Sequence, residues 1–111
     1  MLELPHSRTL KNFSQVYSQG KSFANRDMVV YILRDETFNG KVGFAAGKKL
    51  GCAVIRNRVK RLLREAYRLN QNNIRQNLAM IIIGRKSLVT AKLDAVSKSF
   101  VALSKRAGIW L

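Results

Sequence analysis

The 111-residue chain is short of nearly everything from which a protein active site is built. It has one cysteine, Cys52, one histidine, His6, and six acids: Glu3, Asp27, Asp35, Glu36, Glu65 and Asp94. A single cysteine excludes an internal disulfide and a cysteine-based zinc site, and it fits a reducing, cytoplasmic setting. His6 lies in residues 1–7, read as a mobile terminus, and is read as a bystander. Cys52 has no other histidine to activate it and reads as a small packed side chain, although a basic helix start would mildly favour its thiolate. Only Asp35 and Glu36 are adjacent acids, and they look like part of a turn. Glu65 stands among arginines with which it can pair at helical spacing. These residues build no general base, carboxylate metal pair or nucleotide-binding glycine loop. The chain alone is therefore expected to catalyse nothing, and to bind no metal, cofactor or small-molecule substrate.

Long apolar runs are also missing. The longest, Met28 to Leu33 and Leu78 to Ile83, have six residues each, far short of a bilayer span. Met1-Leu2-Glu3-Leu4-Pro5 has neither the basic start nor the apolar run of a signal peptide. No membrane partner is expected. Disorder would need a poorer apolar content than the 47% found here, with one proline in the chain. One domain over residues 1–111, with a single core, is the expectation.

Positive charge is what the chain has in excess. Lysine and arginine number 21 against six acids, for a net charge of +15. Self-repulsion on that scale is seldom kept without a polyanion to bind, and for a small soluble domain that polyanion is usually nucleic acid. Between Thr37 and Lys92, 13 basic residues face one acid, Glu65.

Apolar periodicity places these charges on elements. Ser7 to Ser18 reads as a helix ended by Gly20, with Leu10, Phe13 and Tyr17 on one face and Val16 at its edge. Ser22 to Arg34, with a possible extra strand split from it, contains a run apolar on both faces, as in an interior strand. Asn39-Gly40 is a hairpin signal. Lys41 to Gly47 alternates Val42, Phe44 and Ala46 against Gly43, Ala45 and Gly47, so a backbone or ligand is expected close to the glycine face. A basic helix spans about Cys52 to Leu69, with Ile55, Val59, Leu62, Ala66 and Leu69 as its buried stripe, flanked by Leu63. Asn70 to Asn73 is expected to cap its end. Leu78 to Arg85 reads as a buried strand, and Val89 to Arg106 as a helix with Val89, Leu93, Val96, Phe100 and Leu103 inward and Gly108 as its stop. The order αββ(β)αβα gives an α+β class: a single-domain α/β sandwich with about four strands and helices packed on them.

Two constellations carry chemistry. On the basic helix, Arg56, Lys60, Arg61, Arg64 and Arg68 are expected opposite the buried stripe, with Arg58 on the border. Arginine outnumbers lysine five to one between Arg56 and Arg68, and its planar fork grips phosphate at two points. Lys48-Lys49 stand where the helix start also attracts anions. The second constellation is aromatic: Phe13, Tyr17 and Tyr31 either pack as core or line a cleft where unpaired bases stack. Arg85-Lys86 would lie on the same rim.

The spaced block Lys48-Lys49-Leu50-Gly51, Ala53-Val54, Arg56-Asn57-Arg58 and Lys60-Arg61 resembles the signature of the bacterial ribonuclease P protein subunit. Phe13 to Tyr17 with Gly20, Ala24-Asn25-Arg26 leading to Tyr31, Val42-Gly43, and the strand ending in Arg85-Lys86 match it too. The resemblance runs from about Arg8 to Ala107. It implies a protein partner of a catalytic RNA which, with bound magnesium, removes the 5′ leader of precursor tRNA. It implies that Arg56, Asn57, Arg58, Lys60, Arg61, Arg64 and Arg68 meet that RNA. Phe13, Tyr17 and Tyr31 would line a cleft for the single-stranded leader, with Lys48, Lys49, Arg85 and Lys86 at its rim. It further implies a left-handed βαβ crossover, which no pattern in the residues suggests. The alternative is a basic structural ribosomal protein, or another RNA-binding protein with no part in cleavage. Duplex-DNA binding and a membrane-active helix are more distant rivals.

Overall fold

The computed structural model describes residues 2–3, 10–34 and 41–111, with backbone alone for 2–3 and 10–14. Its elements in chain order are β1 (Leu2–Glu3), α1 (Leu10–Gln19), β2 (Lys21–Ala24), β3 (Met28–Arg34), β4 (Lys41–Ala46), α2 (Ala53–Asn70), β5 (Leu78–Gly84) and α3 (Leu93–Arg106). Single 3-10 turns fall at Lys48–Leu50, Gln71–Asn73 and Lys86–Val89. The expected extra strand is β2. His6, Asp35, Glu36, Asn39 and Gly40 lie outside the described residues, as does most of the terminus expected to be mobile.

The strands form one mixed sheet in the order β1-β4-β5-β3-β2. β4 and β5 are parallel neighbours joined through α2, while β3 runs antiparallel to β5. β3 and β4 are not paired as a hairpin, because β5 lies between them; the Asn39-Gly40 turn signal itself lies outside the described residues. Seven consecutive pairs join β3 to β5, and this register gives each strand an apolar set on both faces.

Met28, Val30, Ile32, Val42, Phe44, Ala46, Met80 and Ile82 point toward α2 and α3, where they join Val59, Leu63, Ala66, Val96, Phe100 and Leu103 in the main core. Tyr67 meets Phe44 and Phe100 edge-on, with ring centroids 6.1 and 6.2 Å away. Gly84 lets α2 come close, since a Cβ there would stand 2.5 Å from Val59 Cγ1. On the other face, Val16 of α1 is buried with Ala79 and Ile81, and Tyr31, Leu33 and Ile83 pack beside them. Val16, expected at the edge of α1, is thus a centre of its contact with the sheet.

Helix α2 is rotated from the expected register. Val59, Lys60, Leu63 and Ala66 are its buried residues, whereas Leu69 is 53% exposed. At 100° per residue the centre of the apolar buried set, Val59, Leu63 and Ala66, is turned by about 45° toward Leu63. Periodicity alone cannot separate two apolar stripes that share Val59 and Ala66; the neighbours Phe44 and Phe100 decide it through Tyr67. Asn70 ends the helix as expected, donating from Nδ2 to Ala66 O at 2.7 Å and to Ser97 Oγ at 3.0 Å.

Helix α3 begins four residues later than the expected start at Val89. Its C-terminus follows expectation: Gly108 takes φ +76°, open to glycine without strain, and Ile109 N donates to Ser104 O. Arg34 Nη2 donates to the carbonyls of Ala107 and Gly108 at 3.1 and 3.0 Å, so β3 holds that end.

Candidate nucleic-acid interface

The rotation of α2 sorts its cations. Asn57, Arg61 and Arg68 are exposed and Arg64 is half-buried, and these four form the outward strip. Arg68 is held in place by Glu65, with Nη2 2.7 Å from Oε2. That pair keeps the Glu65 carboxyl below its ordinary value, chiefly through the hydrogen bond from Arg68. The pairing expected of Glu65 is therefore present, and it orients one guanidinium on the strip.

Of the other three basic residues, Lys60 and Arg56 depart from the expected arrangement, while Arg58 keeps its expected place on the border. Lys60 is 7% exposed, so it does not stand opposite the core: the turn of the helix brings it to the flank beside Tyr67. Arg56 sits on the same flank, half-buried, with its Nε enclosed and without a partner among the described residues. Arg58 points along the protein rather than outward. Its Nη1 donates to Val89 O at 2.9 Å and, at 3.5 Å, to Leu88 O, and its Nη2 donates to Ala91 O at 2.9 Å. Those bonds tie the end of the 3-10 turn at Lys86–Val89 and the link beyond it back to α2, and α3 begins only after that link.

The rim residues are brought together as expected. Gly47, Lys48, Lys49 and Leu50 on one side, and Ile83, Gly84, Arg85 and Lys86 on the other, line one groove of about 620 Å³. It lies at the C-terminal ends of the parallel strands β4 and β5, before the start of α2. Four cations from positions nearly forty residues apart therefore border one concavity, and Lys48, Lys49, Arg85 and Lys86 are all exposed. Gly47 is open, since a Cβ there would meet nothing within 4 Å; the close approach expected of it is not required.

Ile83 belongs both to this groove and to the sheet face under α1. On that face Tyr17 and Tyr31 meet edge-on, with centroids 5.1 Å apart. Tyr17 is 41% exposed, and its phenol is pushed above the ordinary value by partial burial first and by Tyr31 second. The ring stays neutral and is partly open to solvent. Phe13 lies within α1, but its side chain is outside the described residues.

Cys52, expected to be packed, is instead exposed. It precedes α2, and the backbone N–H groups of Ile55 and then Val54 lower its thiol below the ordinary value, as expected at a helix start. Sequence reasoning missed the residues that hold the groove's second wall. Asn25 Oδ1 accepts from the backbone N–H groups of Asp27 and Met28 at 2.9 Å, while its Nδ2 donates to Ser99 Oγ at 2.9 Å. Ser87 donates to Asp27 Oδ1 at 2.6 Å, and Arg85 Nη1 donates to Asn25 O at 3.0 Å. The Asn25 turn had a readable signal, an asparagine bonding to the backbone two residues on. The Ser87–Asp27 pair, sixty residues apart, had none.

Among the described residues, no three His, Cys, Asp or Glu side chains converge on a possible metal ion. No described helix is long and apolar enough to cross a membrane. Exposed guanidinium and ammonium groups on a helix strip and around a groove, beside a tyrosine pair, define the class: a basic α+β RNA-binding domain.

The comparisons narrow the class to a family. The family model described as Ribonuclease P matches residues 6–108. The chain is 42% identical over 99 residues to the ribonuclease P protein component of Clostridioides difficile, covering 88% of this chain and 87% of that one. It is 43% identical over 98 residues to that of Symbiobacterium thermophilum, covering 87% and 85%. The solved RNase P protein of Staphylococcus aureus superposes with a TM-score of 0.80 at 29% identity, covering 91% of this chain and 93% of that one. That of Thermotoga maritima gives 0.79 at 28% identity, covering 89% and 94%. This chain belongs to the ribonuclease P protein family. It is the protein subunit of a ribonucleoprotein endoribonuclease that matures the 5′ end of tRNA, and the RNA carries the catalysis.

Proposed function

We propose that the chain binds its two polyanions, catalytic RNA and precursor tRNA, on two separate surfaces. The outward strip of α2, Asn57, Arg61, Arg64 and Arg68, meets the catalytic RNA, with Arg56 and Lys60 on one flank; Arg58, engaged by backbone carbonyls, is not counted among these contacts. The groove bounded by Lys48, Lys49, Arg85 and Lys86 carries phosphates of the single-stranded 5′ leader. Tyr17 and Tyr31, with Phe13 on the same helix, offer its bases a stacking surface on the adjoining sheet face. The supporting observation is that the four rim cations border one concavity, which shares Ile83 with the tyrosine face.

Fixed cations let two phosphate chains approach by replacing their counterions. Leader contacts exist only in the substrate, so they favour precursor over mature tRNA and promote product release. Magnesium belongs to the RNA in this reading. Among the described residues, no three His, Cys, Asp or Glu side chains come together as a donor set for the ion. The setting is the cytoplasm.

The test uses holoenzyme reconstituted with its RNA. Changing Lys48 and Lys49 together to Ala should weaken leader-bearing precursor by about tenfold or more at moderate salt, as expected for one or two lost phosphate contacts. Leaderless tRNA should bind within about twofold of wild type. An equal loss for both ligands contradicts the leader assignment.

A further inference from the structure

We infer that Arg58 is a positioning residue: its guanidinium clamps the 86–91 segment so that the Arg85-Lys86 wall stands opposite Lys48-Lys49, and it does not itself grip RNA phosphate. The inference rests on the groove's role as the leader site.

The geometry is that of a fork closing on carbonyls. Two nitrogens of one guanidinium reach three backbone oxygens, those of Leu88, Val89 and Ala91, at 3.5, 2.9 and 2.9 Å. These oxygens come from the end of the 3-10 turn at Lys86–Val89 and the link into α3. There the chain leaves one short helix without having entered the next. Leu88 O also accepts from Ala91 N at 3.3 Å, while Arg58 supplies side-chain donors to Val89 O and Ala91 O from α2, 31 and 33 residues earlier. The other side of the segment is held separately, by Ser87 on Asp27 and by Arg85 N donating to Asp27 O at 2.9 Å. Between these anchors, Lys86 has little freedom to move away from the groove.

The chemistry requires arginine. A planar guanidinium presents parallel N–H bonds in fixed directions, whereas an ammonium on a flexible stem cannot span three separated oxygens. A residue gripping phosphate mainly through charge would tolerate lysine much better. Arg58 is also only partly exposed, in contrast to Arg61 and Arg68. The arginine-asparagine-arginine block therefore divides its labour: Asn57 faces outward while Arg58 turns back to the groove wall.

Arg58→Lys and Arg58→Ala separate the two roles, measured in reconstituted holoenzyme against leader-bearing precursor and leaderless tRNA, with Lys86→Ala and Ser97→Ala beside them. Both Arg58 variants should lose about fivefold or more of the leader preference, approaching Lys86→Ala. Affinity for the RNA subunit should stay within about twofold, and its dependence on salt should keep the wild-type slope, because no phosphate contact is removed. Ser97→Ala, which removes another bond between α2 and α3, should keep the leader preference. Amide exchange at residues 86–91 should speed up in both Arg58 variants. Rescue by lysine, together with a slope flattened by about 0.7 to 0.9 in the alanine variant, would overturn the inference in favour of direct phosphate contact. So would loss of leader preference in Ser97→Ala, which would make the effect one of general loosening. If Lys86→Ala and the Lys48/Lys49 double variant both keep the leader preference, the groove assignment fails and the inference with it. If they lose it while Arg58→Lys keeps it, the inference alone fails.

Discussion

The two faces of the sheet are built for different purposes. Toward α2 and α3, nineteen described residues are buried in one cluster, closed by Phe44, Phe100 and Leu63. Toward α1, the buried apolar cluster has three described residues, Val16, Ala79 and Ile81, and the surrounding Tyr31, Leu33 and Ile83 are only partly covered. Apolar area removed from water stabilises at about 25 cal/mol per Å², so the first face supplies most of the cohesion. The second leaves aromatic and aliphatic surface partly open. Under the proposed function, that open surface can receive the leader because the first face carries the larger buried core.

Substitutions on the two faces should therefore separate stability from recognition. The largest effect belongs to Phe100→Ala. Its ring is 1% exposed, and its loss should lower unfolding free energy by about 3–5 kcal/mol, read from denaturant melts. A loss below about 1 kcal/mol would show that the main core does not depend on it. Tyr17→Ala should invert the pattern. Stability should fall little, while leader-bearing precursor loses about 1–3 kcal/mol of affinity, the worth of one stacked base. Parallel loss of stability and of binding to leaderless tRNA would make Tyr17 a core residue like Phe100.

Arg61→Ala probes the α2 strip, outside both faces. It should flatten the dependence of RNA-subunit affinity on salt by about 0.7 to 0.9 while leaving the melt unchanged; an unaltered slope would place Arg61 in water. The smallest effect belongs to Asp27. Its carboxyl is held below the ordinary value, first by the Ser87 hydroxyl, with smaller help from Ser99 and Arg26 and against some burial. A folded-state value below the unfolded one, about 3.9, means that its stabilisation is complete above that pH. It is lost as pH falls through the folded value. Asp27→Asn should thus melt lower than wild type near pH 7, and the difference should shrink toward pH 3. A constant difference would show that the Ser87 bond does not depend on the charge.

Much of this arrangement was readable before any coordinates. The doubly apolar runs in Met28–Leu33 and Leu78–Ile83 marked interior strands, because only burial on both faces tolerates such runs. Gly20, Asn70 and Gly108 marked helix ends through local bonding. The rim lysines and Arg85-Lys86 were recognised by charge beside elements whose ends they follow. What failed, failed for want of a partner. Leu69 and Ile55 continue a plausible helical stripe, and only Phe44 and Phe100 across the core select Leu63 and Tyr67 over them. Val89 fits the period of α3, yet its carbonyl is bonded by Arg58 and the helix begins only beyond that link. Asn39-Gly40 suits a hairpin, but β5 comes between the strands it would have joined.

The order of residues alone determined a charged α+β domain in which cations, rather than acids or thiols, are the abundant chemical groups. Composition and period are sums over the chain, and no folding event can alter them. Tertiary structure decided which of the cations face outward. A guanidinium's direction depends on the nearest unpaired oxygen, and for Arg58 that oxygen lies thirty residues away, in a segment that only folding brings beside it.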